Sequence, residues 1–312
     1  MAYGHIGHEK NFIYINEKVL MDVQSVDYSV STNRTVLNMA GVIDLPQVSE
    51  GVSQATLNLE RYAITNTEND PFAGGFYGPD LFLNGFSGVW QHIDSVGENN
   101  FFAMDQAYVS NYTFSAALNE IPSISMGIVA YGSGIGDIYG SGIGQTDIPT
   151  GYMTGAPAID FTNVYVYPKL MELVFPAEAD TLTDIAKENL VTSFSLSFTM
   201  NREVRNRIGQ QKKMPETFIA YPIEATLTIE IDVDEYTTPA INNLLCEYPG
   251  TIDLLIKNCD GSNIRGFKFT EGVLQSASMT ERVLDINTAT LEYTKSITSD
   301  AEFGFWIDER TL

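Results

Sequence analysis

The sequence predicts a mainly β protein: two tandem antiparallel modules of sandwich or barrel type, with one short helix. Three observations predict it. First, residues 23–41 (VQSVDYSVSTNRTVLNMAG) return 168 positions later as residues 191–209 (VTSFSLSFTMNREVRNRIG), with eight of nineteen positions identical. The identities include Ser25/Ser193, Ser29/Ser197, Asn33/Asn201, Arg34/Arg202 and Gly41/Gly209. Second, each copy is followed by a matching segment, ATLNLE at 55–60 and ATLTIE at 225–230, and the stretch 107–130 has its counterpart at 272–297, displaced by 165. Third, these segments alternate apolar and polar residues, the period of a strand with one buried face. Such self-similarity marks a tandem repeat and has to be found before a fold is proposed.

Taken in order, residues 11–19 (NFIYINEKV) read as a short strand leading into the first repeat. Residues 23–33 form a longer strand, with Val26, Tyr28 and Val30 toward a core and Ser25, Asp27, Ser29 and Ser31 on the opposite face. Residues 34–51 read as a long polar loop, and 52–62 as the returning strand, with Leu57 and Leu59 inward and Thr56, Asn58 and Glu60 outward. Residues 63–105 are dense in Gly, Pro, Asn and aromatics and read as irregular. A second hairpin spans 107–130, turning at 119–122. Residues 133–157 are a break: YGSGIG occurs at 131–136 and again at 139–144, a glycine content that suits a linker or surface loop better than a core element. Two imperfect copies fall short of the several consecutive turns that glycine-rich calcium-binding repeats need.

The second module begins near Phe161, with one or two strands over 164–175 broken at Pro168. In the repeated strand, Phe194, Leu196, Phe198 and Met200 point inward and Ser193, Ser195, Ser197 and Thr199 outward. The loop 202–221 carries Arg202, Arg205, Arg207, Lys212 and Lys213. The return at 223–233 places Leu227, Ile229 and Ile231 inward, with Thr226, Thr228, Glu230 and Asp232 on the other face. Residues 237–247 (TTPAINNLLCE) have a Thr cap, Pro in the first turn and helical apolar spacing, so they form the predicted helix. A hairpin around CDGSN and the hairpin 272–297 complete the module. The predicted organisation is a first module at 1–132, a Gly-rich linker at 133–160 and a second module at 161–312.

Charge limits the function. With 40 acidic and 17 basic residues, the formal net charge is −23, and no Lys or Arg occurs between Arg61 and Lys169. Tight binding to a phosphate backbone needs clustered cations to displace counterions, so it is not expected. The two cysteines, Cys246 and Cys259, read as reduced thiols. No 18-residue apolar run is present, which predicts no membrane span, and the N-terminus lacks the basic-then-apolar pattern of a secretory signal. His5 and His8 suit a solvated terminus, and His92, beside the aromatic stretch, a packed residue. No nucleophile motif, phosphate loop or metal-ligand constellation occurs, so no enzyme activity, cofactor or metal is expected.

The arrangement resembles the major tail tube proteins of long-tailed bacteriophages, of the kind in which one chain carries two tandem tube modules. The resembling stretches are VQSVDYSVSTNR with ATLNLE, VTSFSLSFTMNREVRNRIG with ATLTIE, and the pair AYVSNYTFSAALNEIPSISMGIVAYG and GVLQSASMTERVLDINTATLEYTKSI. They lie within residues 11–298 and match by pattern more than by fixed residues. The first module departs from it by lacking a clear helix where the second has 237–247. The resemblance implies a virion structural protein assembled in the host cytoplasm. Three chains would close a ring, and stacked rings would form a β-barrel tube for DNA ejection. Its partners would be further copies, other tail proteins and double-stranded DNA passing without specific binding.

On that reading four strands per module make eight per chain and twenty-four per ring, a barrel without free edges. The lumen would be lined by Ser25, Asp27, Ser29, Thr56, Asn58, Glu60, Ser193, Ser195, Ser197, Thr226, Thr228, Glu230 and Asp232. The five cations of the loop 202–221 would contact the next ring. The alternative reading is a two-domain β-sandwich adhesin or carbohydrate binder using the aromatic loop 72–90, and a hydrolase on a β scaffold comes third.

Overall fold

The computed structural model describes residues 10–15, 18–20, 23–37, 47–63, 82–93, 99–132, 170–174, 191–205, 216–233, 251–257, 263–280 and 287–302. The linker 133–160, the helix 237–247, His5, His8, both cysteines, Arg207, Lys212 and Lys213 lie outside them. The described residues are mainly strand. Alternating side chains and β-branched and aromatic content favour pleated, half-buried segments throughout.

In the first half the strands are β1 (Lys10–Ile15), β2 (Lys18–Leu20), β3 (Val23–Leu37), β4 (Gln47–Tyr62), β5 (Phe86–Ile93), β6 (Asn99–Ala117) and β7 (Ser123–Gly132). The second half has β8 (Leu170–Val174), β9 (Val191–Thr199), β10 (Arg202–Arg205), β11 (Glu216–Ile219), β12 (Ile223–Val233), β13 (Thr251–Lys257), β14 (Asn263–Thr270), β15 (Val273–Thr280) and β16 (Asn287–Ile297). All pairings are antiparallel.

One sheet takes strands from both repeats. Its spine runs β3-β4-β7-β6-β9-β12-β16-β15. The first part of β6 also pairs with β5, which continues to β1 and β2. β13 lies between β8 and β14 in a three-stranded sheet, and β10 and β11 make a ribbon. The spine is the same four-strand pattern written twice. Tyr28 lies opposite Leu57, as Leu196 lies opposite Leu227. Leu57 lies opposite Ile128, as Leu227 lies opposite Tyr293. Tyr112 lies opposite Met126, as Ala277 lies opposite Leu291. Even the irregularities correspond. A β-bulge falls between Val109 and Asn111 in β6 and between Leu274 and Ser276 in β15, 165 positions on.

The core lies along one face of this sheet. Leu57, Leu59, Phe114, Leu196, Leu227, Ile229, Leu291 and Tyr293 are all fully buried there. Burying each such side chain contributes about 1.5–3 kcal/mol. Where the repeats meet, rings pack: Tyr112 on Phe198 at 5.4 Å, Phe114 on Phe194 at 5.8 Å, and Phe82 edge-on to both Tyr112 and Phe198.

Several expectations are corrected. Residues 11–19 are two strands, β1 and β2, paired with each other. The stretch 34–51 is largely strand: β3 and β4 continue their ladder to Leu37 and Gln47. The loop 202–221 likewise contains the β10-β11 ribbon. The stretch 63–105 contains β5 and the start of β6. There the alternation of FSGVWQHI is interrupted by Gly88, and Gly85 just before the strand is required because a Cβ would come within 2.9 Å of the Tyr108 ring. Val26, Tyr28 and Val30 do share the core face with Leu59, Leu57 and Ala55, but they are not buried. Tyr28 is 53% and Val30 40% exposed. β3 pairs only with β4 among the described strands, so no described strand lies along its other side. The single chain is an open sheet, not a closed barrel. No described helix is long and apolar enough to cross a membrane.

Candidate functional site: a polar sheet face and two free edges

The thirteen residues read as outward-facing fall on one face of one sheet. In the first repeat Ser25, Asp27 and Ser29 lie opposite Glu60, Asn58 and Thr56. In the second, Ser193, Ser195 and Ser197 lie opposite Glu230, Thr228 and Thr226, and Asp232 continues the row opposite Thr288. Strand β6 joins the two groups, with Thr113 opposite Ser197 and Ser115 opposite Ser195.

Short hydroxyls bridge this face. Ser25 Oγ donates to Glu60 Oε2 at 3.4 Å, and Ser193 Oγ to Glu230 Oε2 at 3.0 Å, the same contact in the two repeats. Ser29 and Thr56 share a hydrogen bond of 2.6 Å, and Ser115 and Ser195 one of 3.4 Å across the junction of the repeats. Sequence reading missed the contribution of β15 and β16. Ser276 Oγ donates to Glu292 Oε2 at 3.1 Å on the same face. The signal was present, because 272–297 carries the same alternation as 107–130.

The electrostatics follow from composition and register. Asp27, Glu60, Glu224, Glu230, Asp232 and Glu292 occupy this face. No Lys or Arg does, among the residues of the paired segments whose side chains are described. Two cations of these segments are on the core side: Arg61 is buried, and Lys295 is buried with Nζ donating to Thr270 Oγ1 at 2.8 Å.

The two ends of the spine, β3 and β15, are the second feature. Tyr28, Val30 and Val273 are three of the four large hydrophobics exposed among the described residues, and all three lie on these end strands. A long uncovered edge with exposed apolar residues is a template for another strand.

Of the five cations read as a contact to the next ring, two can be placed. Arg202 turns inward. Its Nη2 donates to the carbonyls of Phe82 at 2.7 Å and Leu83 at 3.4 Å, and its guanidinium lies 4.5 Å from the Tyr108 ring centroid. Burial lowers its pKa, opposed by Tyr108, Tyr131, Tyr221 and Asp300. Arg202 thus ties the second repeat to the first. Arg205 is exposed, over Phe218 at 4.8 Å and 3.4 Å from Glu203, a pairing that contributes little at a surface. At the foot of the same region Tyr221 hydrogen-bonds Asp300, and burial followed by that bond raises the tyrosine pKa.

Other candidates weigh less. Trp90, within the aromatic stretch, packs on Tyr28 at 4.8 Å. His92 is on β5, opposite Asn11 and Asn100. No grouping of three or more His, Cys, Asp or Glu suited to a metal occurs among the described residues. The chain matches no family model and no curated protein.

Proposed function

We propose that this chain is the structural protein of a bacteriophage tail tube, polymerising as three-copy rings stacked around a channel that conducts DNA. The observation that carries the reading is the spine of the sheet. Its strand order is one four-strand pattern repeated, and its free ends are β3 and β15, the counterparts of β9 and β6, which pair with each other at its centre. Adding a second copy end to end therefore continues the pattern already present inside the chain. Three copies of eight strands close a twenty-four-stranded barrel and leave no free edge in the barrel itself.

The polar face would line the channel. Carboxylates and short hydroxyls without cations repel phosphate and offer it no counterion-displacing contact, so DNA passes without sticking. The core face, with β5, β1 and β2 attached through β6, would form the outer layers. Between rings the contact would rest on Arg205, Arg207, Lys212 and Lys213, meeting acidic surface of the neighbour. Arg202 is already engaged within the chain. Other tail proteins would meet the ends of the tube.

Electron microscopy of the purified protein, with solution mass, tests this reading. Rings or tubes of three chains per layer are expected. A monomer at all concentrations refutes it, and six chains per ring refute the account in which the duplication substitutes for three additional copies.

A further inference from the structure

The internal junction gives the residue-by-residue register of the external one; this inference rests on the ring reading above. At the junction, β6 and β9 pair from Asn111 opposite Thr199 to Ala117 opposite Ser193. Two flanking backbone bonds extend it, Leu118 N–H to the Thr192 carbonyl at 2.8 Å and Met200 N–H to the Ser110 carbonyl at 2.7 Å. Strand β15 is β6 displaced by 165, bulge included, and β3 is β9 displaced by 168. Carrying the pairing across gives one register.

We infer that β15 of one copy pairs antiparallel with β3 of the next, with Ser276 opposite Ser31, Ala277 opposite Val30, Ser278 opposite Ser29, Met279 opposite Tyr28 and Thr280 opposite Asp27. Two independent features of the edges agree. On the core face, the half-buried Ala277 and Met279 come against Val30 and Tyr28, the residues left exposed on β3. On the polar face, hydroxyls meet hydroxyls, and Thr280 is placed to donate to the Asp27 carboxylate. A slip of one residue would set Met279 against Ser29 and turn each row to the wrong face.

A slip of two keeps the faces but misplaces the bulge. The Ser110 carbonyl at the β6 bulge receives Met200 N–H, just before the break between β9 and β10. The counterparts are the bulge at Gln275 and the irregularity between Thr32 and Arg34 in β3. Aligning them brings Thr32 N–H to the Gln275 carbonyl. Bulges pin register in this way.

The flanking bonds also show which pairs exchange backbone hydrogen bonds. Positions 110/200 and 118/192 each carry one such bond, which sets the alternation, so 113/197 and 115/195 are the close, non-hydrogen-bonded type. Their external counterparts are 278/29 and 280/27. Non-hydrogen-bonded pairs bring Cα atoms to about 4.5 Å, within disulfide reach.

The test is cysteine crosslinking of the full chain carrying Ser29→Cys with Ser278→Cys. Diamide is the oxidant and takes up the two electrons and two protons released as the S–S bond forms. Ser29→Cys with Ser276→Cys, and Ser29→Cys with Thr280→Cys, report slips of two. Thr113→Cys with Ser197→Cys reports the internal junction, and each single variant measures the background from Cys246 and Cys259. Electron microscopy of the same samples scores rings separately. The expected result is a covalent band at three times the 34.5 kDa chain mass for 29/278, with at least a several-fold lower yield for the slipped pairs. Rings with no 29/278 crosslink, or with a slipped pair trapped as well, overturn the register and leave the ring reading standing. Crosslinked chains without closed rings support the register and overturn the ring. Absence of both assembly and crosslink overturns both.

Discussion

Strands β3 and β9 are copies of one another, yet one is an edge and the other lies at the middle of the sheet. Their core-facing residues show what that difference does. Phe194, Leu196 and Phe198 on β9 are buried to 3%, 0% and 3% exposure. The corresponding Val26, Tyr28 and Val30 on β3 are half-buried, 53% exposed and 40% exposed. Both strands alternate equally well, and both have a partner on one side. What β3 lacks is the neighbour that β6 provides for β9. Burial here is a property of the pair, not of the strand. The residue choices follow: the junction inside the chain packs aromatic on aromatic, whereas the free edges carry Val, Tyr, Ala and Met. A permanent junction can be large and dry. On the proposed assembly, an edge that stays in water until it meets a partner carries less apolar area.

Proline separates the two situations most sharply. The alternation of backbone bonds directs the Phe198 N–H toward β6, and by equivalence directs the Val30 N–H to the open edge. Phe198→Pro removes a junction bond and leaves its buried acceptor unpaired, at a cost of about 1–3 kcal/mol, in addition to about 3–5 kcal/mol for the lost ring. It should prevent folding, scored by loss of β circular dichroism and of soluble yield. Val30→Pro removes no bond of the β3-β4 ladder and should leave the monomer folded while abolishing polymerisation. Normal tubes from Val30→Pro would mean that this edge is not used.

Truncation gives a graded version. Phe198→Ala should cost about 3–5 kcal/mol in urea unfolding of the monomer. Val30→Ala should cost under about 1 kcal/mol there, because the side chain is already partly in water. Its larger effect should be on assembly, where a lost contact of about 1 kcal/mol raises the concentration needed for rings roughly fivefold. Equal losses of monomer stability in both variants would show that β3 is covered within the chain.

A smaller contrast lies at one matched position on the polar face. In the first repeat Asn111 overlies Gly127, and a Cβ there would come within 2.4 Å of the Asn111 Nδ2. In the second repeat the same places hold Ser276 and Glu292, joined by a hydrogen bond of 3.1 Å. Large and small residues have been exchanged. Gly127→Ala alone should destabilise by about 1–3 kcal/mol through overpacking, and adding Asn111→Ser should recover most of it. A double variant no better than the single one would place the strain in the backbone instead.

Much of this was readable from the chain because alternation and duplication are local or self-comparing signals. The displacements of 168 between VQSVDYSVSTNR and its copy and 165 between the later hairpins reappear in the ladder, bulge included. Three things were not readable. Strand β5 was obscured by Gly88 within it and Gly85 before it, which admit the Met104 methyl and the Tyr108 ring. The ladder beyond Arg34 was hidden because the register shifts between Thr32 and Arg34, so the alternation of the first part of β3 does not run on through it. The pairing of Ser115 with Ser195, eighty residues apart, leaves no trace in either strand's own pattern. Arg202 shows the same limit. Its place in a basic loop suggested an outward role, and only the fold brings the Phe82 carbonyl within its reach.

The least disruptive change is the one aimed at the face rather than the edge. Ser195 and Ser197 are half-buried in the polar row beside Ser115 and Thr113, and a long side chain at either place can carry its ammonium clear of the row. Replacing both by Lys should change monomer stability by no more than about 1 kcal/mol and leave assembly intact, because neither residue contributes to the core or to the free edges. The effect should appear only with nucleic acid. Two cations per chain on a face that has none would supply the phosphate contacts that the native face withholds. Variant tubes should retain double-stranded DNA at low salt and release it steeply as salt rises, while native tubes hold none at either. Variant tubes that assemble but do not hold DNA at low salt would place this face away from the channel, and a variant unable to fold would show that the row packs against other parts of the chain.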